Sequence, residues 1–253
     1  CGQKENSTVL RKGSVPLWND APDENSLGVG LPCLLNQCLA CGHVYQPVSK
    51  RVRNYVETIY NSEFAQGVSS MGVGTWGGRR ADALFFDHID PSNYKSAMEI
   101  GCGDGYLLRR LKSKGVNRLL GIEPSVNVLS DDPEIEFHNG FLDPSKQMGE
   151  PYDLIYSIAV FEHIEGIGVI LEFCRNHLAE NGELFFVVPD CGVELGAGDP
   201  ALFIHQHVHY FTSQTISSLL DWHDLAPLRI TTLNGNLLVS AVRNLSTKNT
   251  LCL

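Results

Sequence analysis

From Ser96 onward the chain alternates short apolar runs with amphipathic stretches. Ser96–Ile100 reads as a strand, and the stretch that begins at Tyr106 has the 3.6-residue spacing of a helix as far as Lys114, with Arg109 and Arg110 outward. Further strands are predicted over Arg118–Glu123, near Ile135–His138, over Tyr152–Ile158 and over Glu183–Val188. A helix from about Ile167 to His177 precedes the last of these, and Asn181-Gly182 turns the chain into it. Thr212 or Ser213 is the expected N-cap of a helix ending near Trp222. Leu228–Leu233 and Leu237–Val242 flank Asn234-Gly235-Asn236, a strong signal for a hairpin. Strands alternating with helices argue for an α/β, doubly wound, seven-stranded sheet whose last hairpin is antiparallel.

The first 95 residues follow a different pattern. Residues 1 to about 47 have few periodic apolar runs, are rich in Gly, Pro and Asn, and are not expected to build a core of their own. Val52 to Phe64 is a helical candidate in which Tyr55, Ile59, Tyr60 and Phe64 share a face. The glycine-rich run Gly67–Gly78 reads as a loop near a ligand or as a plain linker, and Ala81–Ile89 as a helix ahead of the first strand. The expected division is a small zinc-binding domain over 1–48, a helical and Gly-rich connector over 49–95, and the α/β domain over 96–245.

Composition narrows the partners. A chain of 253 residues holds one large domain and a small appendage. A net charge of −10 gives no support to a nucleic-acid partner, and the basic patch Lys50-Arg51-Val52-Arg53 reads as a solvated face. No apolar run approaches a membrane span and no secretory leader is visible, so a cytoplasmic location is expected. The first residue is Cys rather than Met, and the natural start is expected upstream.

Eight cysteines and nine histidines without a secretory signal suggest a reducing compartment and a metal. Cys38-Leu39-Ala40-Cys41-Gly42 is a C-x-x-C-G knuckle, in which two thiolates converge on one ion and the glycine turns the chain back. Cys1-Gly2 matches the second half of another. Cys1, Cys38, Cys41 and a cysteine upstream are therefore the expected ligands of a structural zinc, with Cys33 or His43 as substitutes for the fourth. Cys33 also reads as part of a strand leading into the knuckle, and Cys102, Cys174, Cys191 and Cys252 read as core or incidental thiols.

The candidate chemistry centres on Met98-Glu99-Ile100-Gly101-Cys102-Gly103-Asp104-Gly105-Tyr106. A strand, a tight glycine turn and a helix N-terminus open a nucleotide-binding α/β unit. Glu123 ends the second strand about twenty residues on, which places a carboxylate beside the ribose of a bound nucleoside. There is no G-x-x-x-x-G-K-[ST] phosphate loop. His205-Gln206-His207-Val208-His209-Tyr210 follows the fifth strand at the carboxyl edge of the sheet. If extended, it puts His205, His207 and His209 on one side. Two of them could bind a metal, but no Asp, Glu or Cys nearby in the sequence completes the set. One could serve as a general base.

The string E-I-G-C-G-D-G resembles the first motif of class I S-adenosylmethionine-dependent methyltransferases, and the closing hairpin resembles their Rossmann-like fold. The resemblance implies S-adenosylmethionine as cofactor, held by Glu99, Gly101, Gly103, Asp104, Gly105 and Glu123. Phe141 would flank the adenine, and Ser157 and Ile158 the amino-acid end. Val160-Phe161-Glu162-His163-Ile164 resembles a signature after the fourth strand in which Glu162 and His163 are more often structural than catalytic. With the cysteine knuckle, Pro16-Leu17-Trp18-Asn19 and H-Q-H-V-H-Y-F-T, the chain resembles the deoxysugar C-methyltransferases that act on nucleotide-linked sugars.

That group's Y-H-E-H motif here reads Ile204-His205-Gln206-His207. The resemblance leaves His207 as the expected base or substrate-orienting group, with His205 and Tyr210 beside it. A small-molecule acceptor is implied, methylated at C, O or N. A binding protein that keeps the cofactor fold without transfer chemistry is the reading from another class. The G-x-G-x-G spacing and terminal hairpin oppose a third, an NAD-dependent oxidoreductase.

Overall fold

The computed structural model describes residues 5–16, 30–60, 73–125, 132–199 and 203–244. Cys1, the Leu17-Trp18-Asn19 segment, the run from Gly67 to residue 72, Phe64 and Cys252 lie outside them. Two sheets carry the fold. The larger comprises β4 (Ser96–Ile100), β5 (Arg118–Glu123), β6 (Glu136–Asn139), β7 (Tyr152–Ile158), β8 (Leu178–Pro189), β10 (Leu225–Leu233) and β11 (Asn236–Arg243), in the order β10-β11-β8-β7-β4-β5-β6. β11 pairs antiparallel with both β10 and β8, and every other pair in the sheet is parallel. Its turn from β10 is the two-residue Asn234-Gly235, with φ +49° and +73°, the pair of left-handed conformations a tight hairpin demands.

The period-2 alternation of the strands divides the core between the two faces of the sheet. Met98, Ile100, Leu120 and Ile122 face α4 (Ile167–His177) and α6 (Ser213–Trp222), against Leu171, Cys174, Ile216 and Leu220. Ala97, Leu119 and Leu154 face α2 (Trp76–Phe85) and α3 (Tyr106–Ser113), against Leu84, Phe85, Leu108 and Leu111. α2, from the stretch expected as a connector, is thus packed on the sheet. It starts at Trp76 because the Thr75 hydroxyl accepts from Gly78 N at 3.0 Å. α6 is capped at Thr212 by a reciprocal box with Thr215.

The smaller sheet has the order β1-β2-β3-β9, from β1 (Asn6–Pro16), β2 (Gly30–Cys38), β3 (Val44–Tyr45) and β9 (His209–Tyr210). Its core is borrowed: Cys33, Leu35 and Val44 pack with Cys191 and Tyr210 from the α/β part of the chain. α1 (Lys50–Tyr60) and α5 (Gly192–Ala197) complete the elements.

Candidate functional site

The glycine turn sits at the carboxyl edge of the sheet, between β4 and α3. Gly101 N and Cys102 N both donate to Ile122 O, at 2.8 and 3.2 Å, which ties the turn to β5. Gly101, Gly103 and Gly105 have φ of +77°, +51° and +75°. A Cβ on Gly101 would lie 2.3 Å from Val160 Cγ2, and one on Gly105 would lie 2.7 Å from Phe137 Cζ. Backbone conformation and close approach therefore both demand glycine here.

Carboxylates converge on this turn. Glu123, buried at the end of β5, accepts from Gly103 N and Ser125 N, each at 2.9 Å. Glu99 lies on the same face of the sheet and is buried, its Oε2 accepting from the Tyr156 hydroxyl at 2.9 Å. Burial pushes its carboxyl well above the usual carboxylate range, and nearby Asp104 and Glu123 push the same way, against the Tyr156 bond and Arg109. Asp104 Oδ1 accepts from Tyr106 N at 3.0 Å, at the start of α3, and its Oδ2 pairs with Arg109 at 3.1 Å. Ser157 is buried, with its hydroxyl donating to Ile100 O at 2.9 Å. Ile158 is half-buried, and Phe141, after β6, is 58% exposed.

The histidine segment is not extended throughout. A turn at His205-Gln206, with His207 N donating to Ile204 O at 3.2 Å, breaks the alternation, and the three rings go to different places. His205 is 1% exposed, with Nε2 3.0 Å from Leu31 O. His209 lies 2.9 Å from His43 Nε2 through Nδ1 and 3.0 Å from Ile164 O through Nε2. Burial pushes His209 down to about 4 and, helped by His209, pushes His43 down to about 3. Tyr210 is buried, its hydroxyl donating to Ile204 O at 3.3 Å. These contacts, with Gln46 donating from Nε2 to His205 O at 3.0 Å, fasten the segment to the smaller sheet.

His207 turns toward the same single turn after β7 whose end His209 reaches at Ile164 O. Its ring meets that of His163 edge-on at 5.0 Å, and its nearest possible co-ligands are His163 and Glu162. Burial, then His163, pushes His207 down to about 3. Glu162 is 2% exposed, and burial raises its carboxyl. No carboxylate stands beside these histidines in the chain itself. Glu162 lies 45 positions before His207 and is brought in by the fold.

Cys38 and Cys41 stand together at the turn after β2. Burial raises the Cys38 thiol, but the N–H groups of Cys41 and Ala40 and the Cys41 thiol outweigh it and hold Cys38 below the ordinary thiol value. Neither proposed substitute ligand is free: Cys33 is buried in the sheet, donating to Gln46 Oε1 at 3.1 Å, and His43 is engaged by His209.

The strand order, the antiparallel last hairpin and the glycine turn with its acidic partners define the class I methyltransferase fold. A family described as a methyltransferase domain matches residues 80–229, and the chain belongs to it. Among similar sequences, a tRNA U34 carboxymethyltransferase of Aeromonas salmonicida is 31% identical over 117 residues, 42% of this chain and 36% of that protein. One from Shewanella woodyi is 28% identical over 107 residues, 38% of this chain and 32% of that protein. The chain thus spans about a third of the length of the curated relatives it matches. Among solved structures, the PH0226 protein from Pyrococcus horikoshii superposes with a TM-score of 0.56 at 13% identity, covering 72% of this chain and 100% of that one. An S-adenosylmethionine dependent methyltransferase from Mesorhizobium loti gives 0.52 at 16% identity, over 64% and 96%. Both share the fold.

The site fits S-adenosylmethionine: the turn has no room for a Cβ at Gly101, and the Glu123 carboxylate beside it keeps lone pairs for ribose hydroxyls. Among the described residues no helix is long and apolar enough to cross a membrane.

Proposed function

We propose that the protein transfers a methyl group from S-adenosylmethionine to a small carbohydrate acceptor, a nucleotide-linked sugar or a related metabolite, at carbon or oxygen. One observation supports this most. Val160, packed on Gly101, leads within three residues to Glu162 and His163, and these meet His207 at the carboxyl edge of the sheet.

The cofactor supplies a methyl already activated by its sulfonium. Glu123 would accept the ribose hydroxyls, and the Gly101–Gly105 turn would let the backbone approach the amino-acid portion. Asp104, Ser157, Ile158 and Phe141 would complete the cofactor's surroundings, with Glu99 beneath. His207, uncharged through the neutral range, is suited to orient the acceptor. A ring held near 3 is a weak proton acceptor, so orientation is favoured over general-base action. His205 and Tyr210 act from behind, holding the segment to the smaller sheet.

Residues 1–48 are proposed to carry one structural zinc on Cys1, Cys38, Cys41 and an upstream cysteine. Residues 49–95 would connect them to the 96–245 domain, in a cytoplasmic protein. A net charge of −10 supports a small acceptor over a nucleic acid. A tRNA acceptor is the second reading, favoured by the names of the relatives 28–31% identical to the chain.

Release of S-adenosylhomocysteine in the presence of nucleotide sugars, and separately of tRNA, tests the choice. Turnover on sugars with His207→Ala slowed about 10²-fold at unchanged cofactor affinity is expected. Methylation of tRNA alone would overturn the carbohydrate reading. Cofactor binding without turnover on any acceptor would favour a non-catalytic binding protein.

A further inference from the structure

Glu162, His163 and His207 each present a ligand atom, and the three atoms lie within 4.8 Å of one another. They come from two segments, the single turn Phe161–His163 after β7 and the loop before β9. Val208 N donates to Glu162 O at 2.7 Å, so the two segments are locked together immediately beside the cluster.

Three details show that this is more than proximity. First, His163 Nδ1 lies 2.9 Å from Gln206 O. A carbonyl only accepts, so the ring proton sits on Nδ1 and Nε2 carries its lone pair toward Glu162. An imidazole fixed by a backbone carbonyl in this way is the usual support of a metal-ligating histidine. Second, Glu162 Oε2 and His207 Nδ1 are both buried and have no hydrogen-bond partner among the described residues. Two orphaned polar atoms on residues of one cluster leave bonding capacity that an occupant could take up. Third, Arg80 does not supply it: its guanidinium is turned to Asn236 Oδ1 at 3.5 Å and acts on Glu162 only through space.

The separation is right as well. His163 Nε2 and Glu162 Oε1 are 3.7 Å apart, too far for a hydrogen bond. Two tetrahedral ligands each about 2.0–2.1 Å from one ion would stand roughly 3.3–3.4 Å apart. Because the three atoms lie within 4.8 Å of one another, binding an ion takes side-chain rotations that draw the set together.

We propose that Glu162, His163 and His207 bind one divalent transition-series cation, Zn(II) foremost. Two imidazoles and one carboxylate select such an ion over Mg(II) or Ca(II), which take oxygen ligands. Three protein ligands leave a coordination position for water or for an oxygen of the acceptor. That last use rests on the methyl-transfer reading above; the site itself does not. The cation here is distinct from the zinc proposed for Cys38 and Cys41, and it has no thiolate ligand.

Cobalt(II) separates the two sites, because thiolate ligation adds an intense near-ultraviolet charge-transfer band that imidazole and carboxylate ligation lacks. Chelator-treated protein is titrated with Co(II), beside Glu162→Gln and His207→Ala. The wild-type chain should take up one more equivalent than either variant, with visible d–d bands and no matching thiolate band, and its affinity for that ion should fall at least about 100-fold in the variants. Equal uptake by all three, or cobalt bound only through thiolates, would overturn the proposal. Should the variants fail to fold, the wild-type chain still decides. Zn(II) should shield His163 and His207 from diethylpyrocarbonate, read by mass spectrometry against His138 on β6. Equal modification with and without Zn(II) would refute the site. Calorimetry with S-adenosylhomocysteine on the same samples keeps the readings apart. Cofactor binding without the extra ion sinks the metal site alone, and loss of cofactor binding sinks the methyl-transfer reading alone.

Discussion

Gly101→Ala tests whether the glycine turn is dictated by backbone and packing together. At φ +77°, an alanine adopts the left-handed region at a cost of about 1–2 kcal/mol. The new Cβ also meets Val160, 2.3 Å from Cγ2, 3.2 Å from Cγ1 and 3.3 Å from Cβ. Rotating χ1 relieves the methyl overlap only in part, because Val160 Cβ itself stays 3.3 Å from the new atom, and the residual overpacking is worth about 1–3 kcal/mol. The single substitution should therefore destabilise by about 2–5 kcal/mol, the sum of these terms.

Val160→Ala removes the methyls and should restore the packing share, leaving the backbone share in place. Urea unfolding of the wild-type protein, both single variants and the double variant measures this directly, from midpoints at constant slope. A favourable coupling of about 1–3 kcal/mol is expected for residues in such contact. Coupling within about 0.5 kcal/mol, the scatter of independent sites, would refute the steric argument.

Glu123→Gln replaces a carboxylate that accepts from Gly103 N and Ser125 N with a group that can accept only on one side. The urea midpoint should fall by the equivalent of about 1.5–3 kcal/mol, the scale of a hydrogen bond to a charged group, and calorimetry should show S-adenosylhomocysteine bound more weakly. For Glu99, whose folded carboxyl is held above its unfolded value, the folded state binds the extra proton. Its contribution is present below the unfolded value of about 4.3 and is lost as pH rises through the folded one. Glu99→Gln keeps an acceptor for Tyr156, so its stability relative to wild type should improve between pH 5 and pH 8; a constant difference over that range would show that Glu99 ionises normally. Asp153 Oδ2, at the far edge of the sheet, accepts from Lys95 N, Ser96 N and Ser96 Oγ at 2.8, 3.0 and 3.2 Å. Asp153→Ala should cost about 1.5–3 kcal/mol of stability and leave cofactor affinity untouched, and a change in that affinity would show that the two edges communicate.

The α/β half was legible because its determinants are local. Ser96–Ile100, Arg118–Glu123 and Tyr152–Ile158 are apolar runs buried on both faces, which no exposed loop tolerates, and their observed bounds coincide with the predicted ones. Asn234-Gly235 dictates its hairpin through two positive φ angles, whatever surrounds it. The Gly101–Gly105 turn was readable for the same reason, since a left-handed backbone leaves its mark on residue type. The class of fold follows from these alone.

Tertiary structure decided what depends on residues distant in the chain. Asn6–Pro16, Gly30–Cys38 and Val44–Tyr45 form strands not because of a core of their own but because β3 pairs with β9 across 164 positions, Val44 to Tyr45 against Tyr210 to His209, and Cys191 and Tyr210 fill the interior. That pairing consumes His209 and Tyr210, and the turn ahead of it sends His205 to Leu31, which a periodicity of two could not foresee. It also leaves His207 facing Glu162 and His163, two residues that the resemblance reads as structural and that lie more than 40 positions earlier in the chain. Local pattern specifies which backbone a segment adopts; which side chains share a buried space is set by the packing of whole elements, and there the chemistry of this protein is assembled.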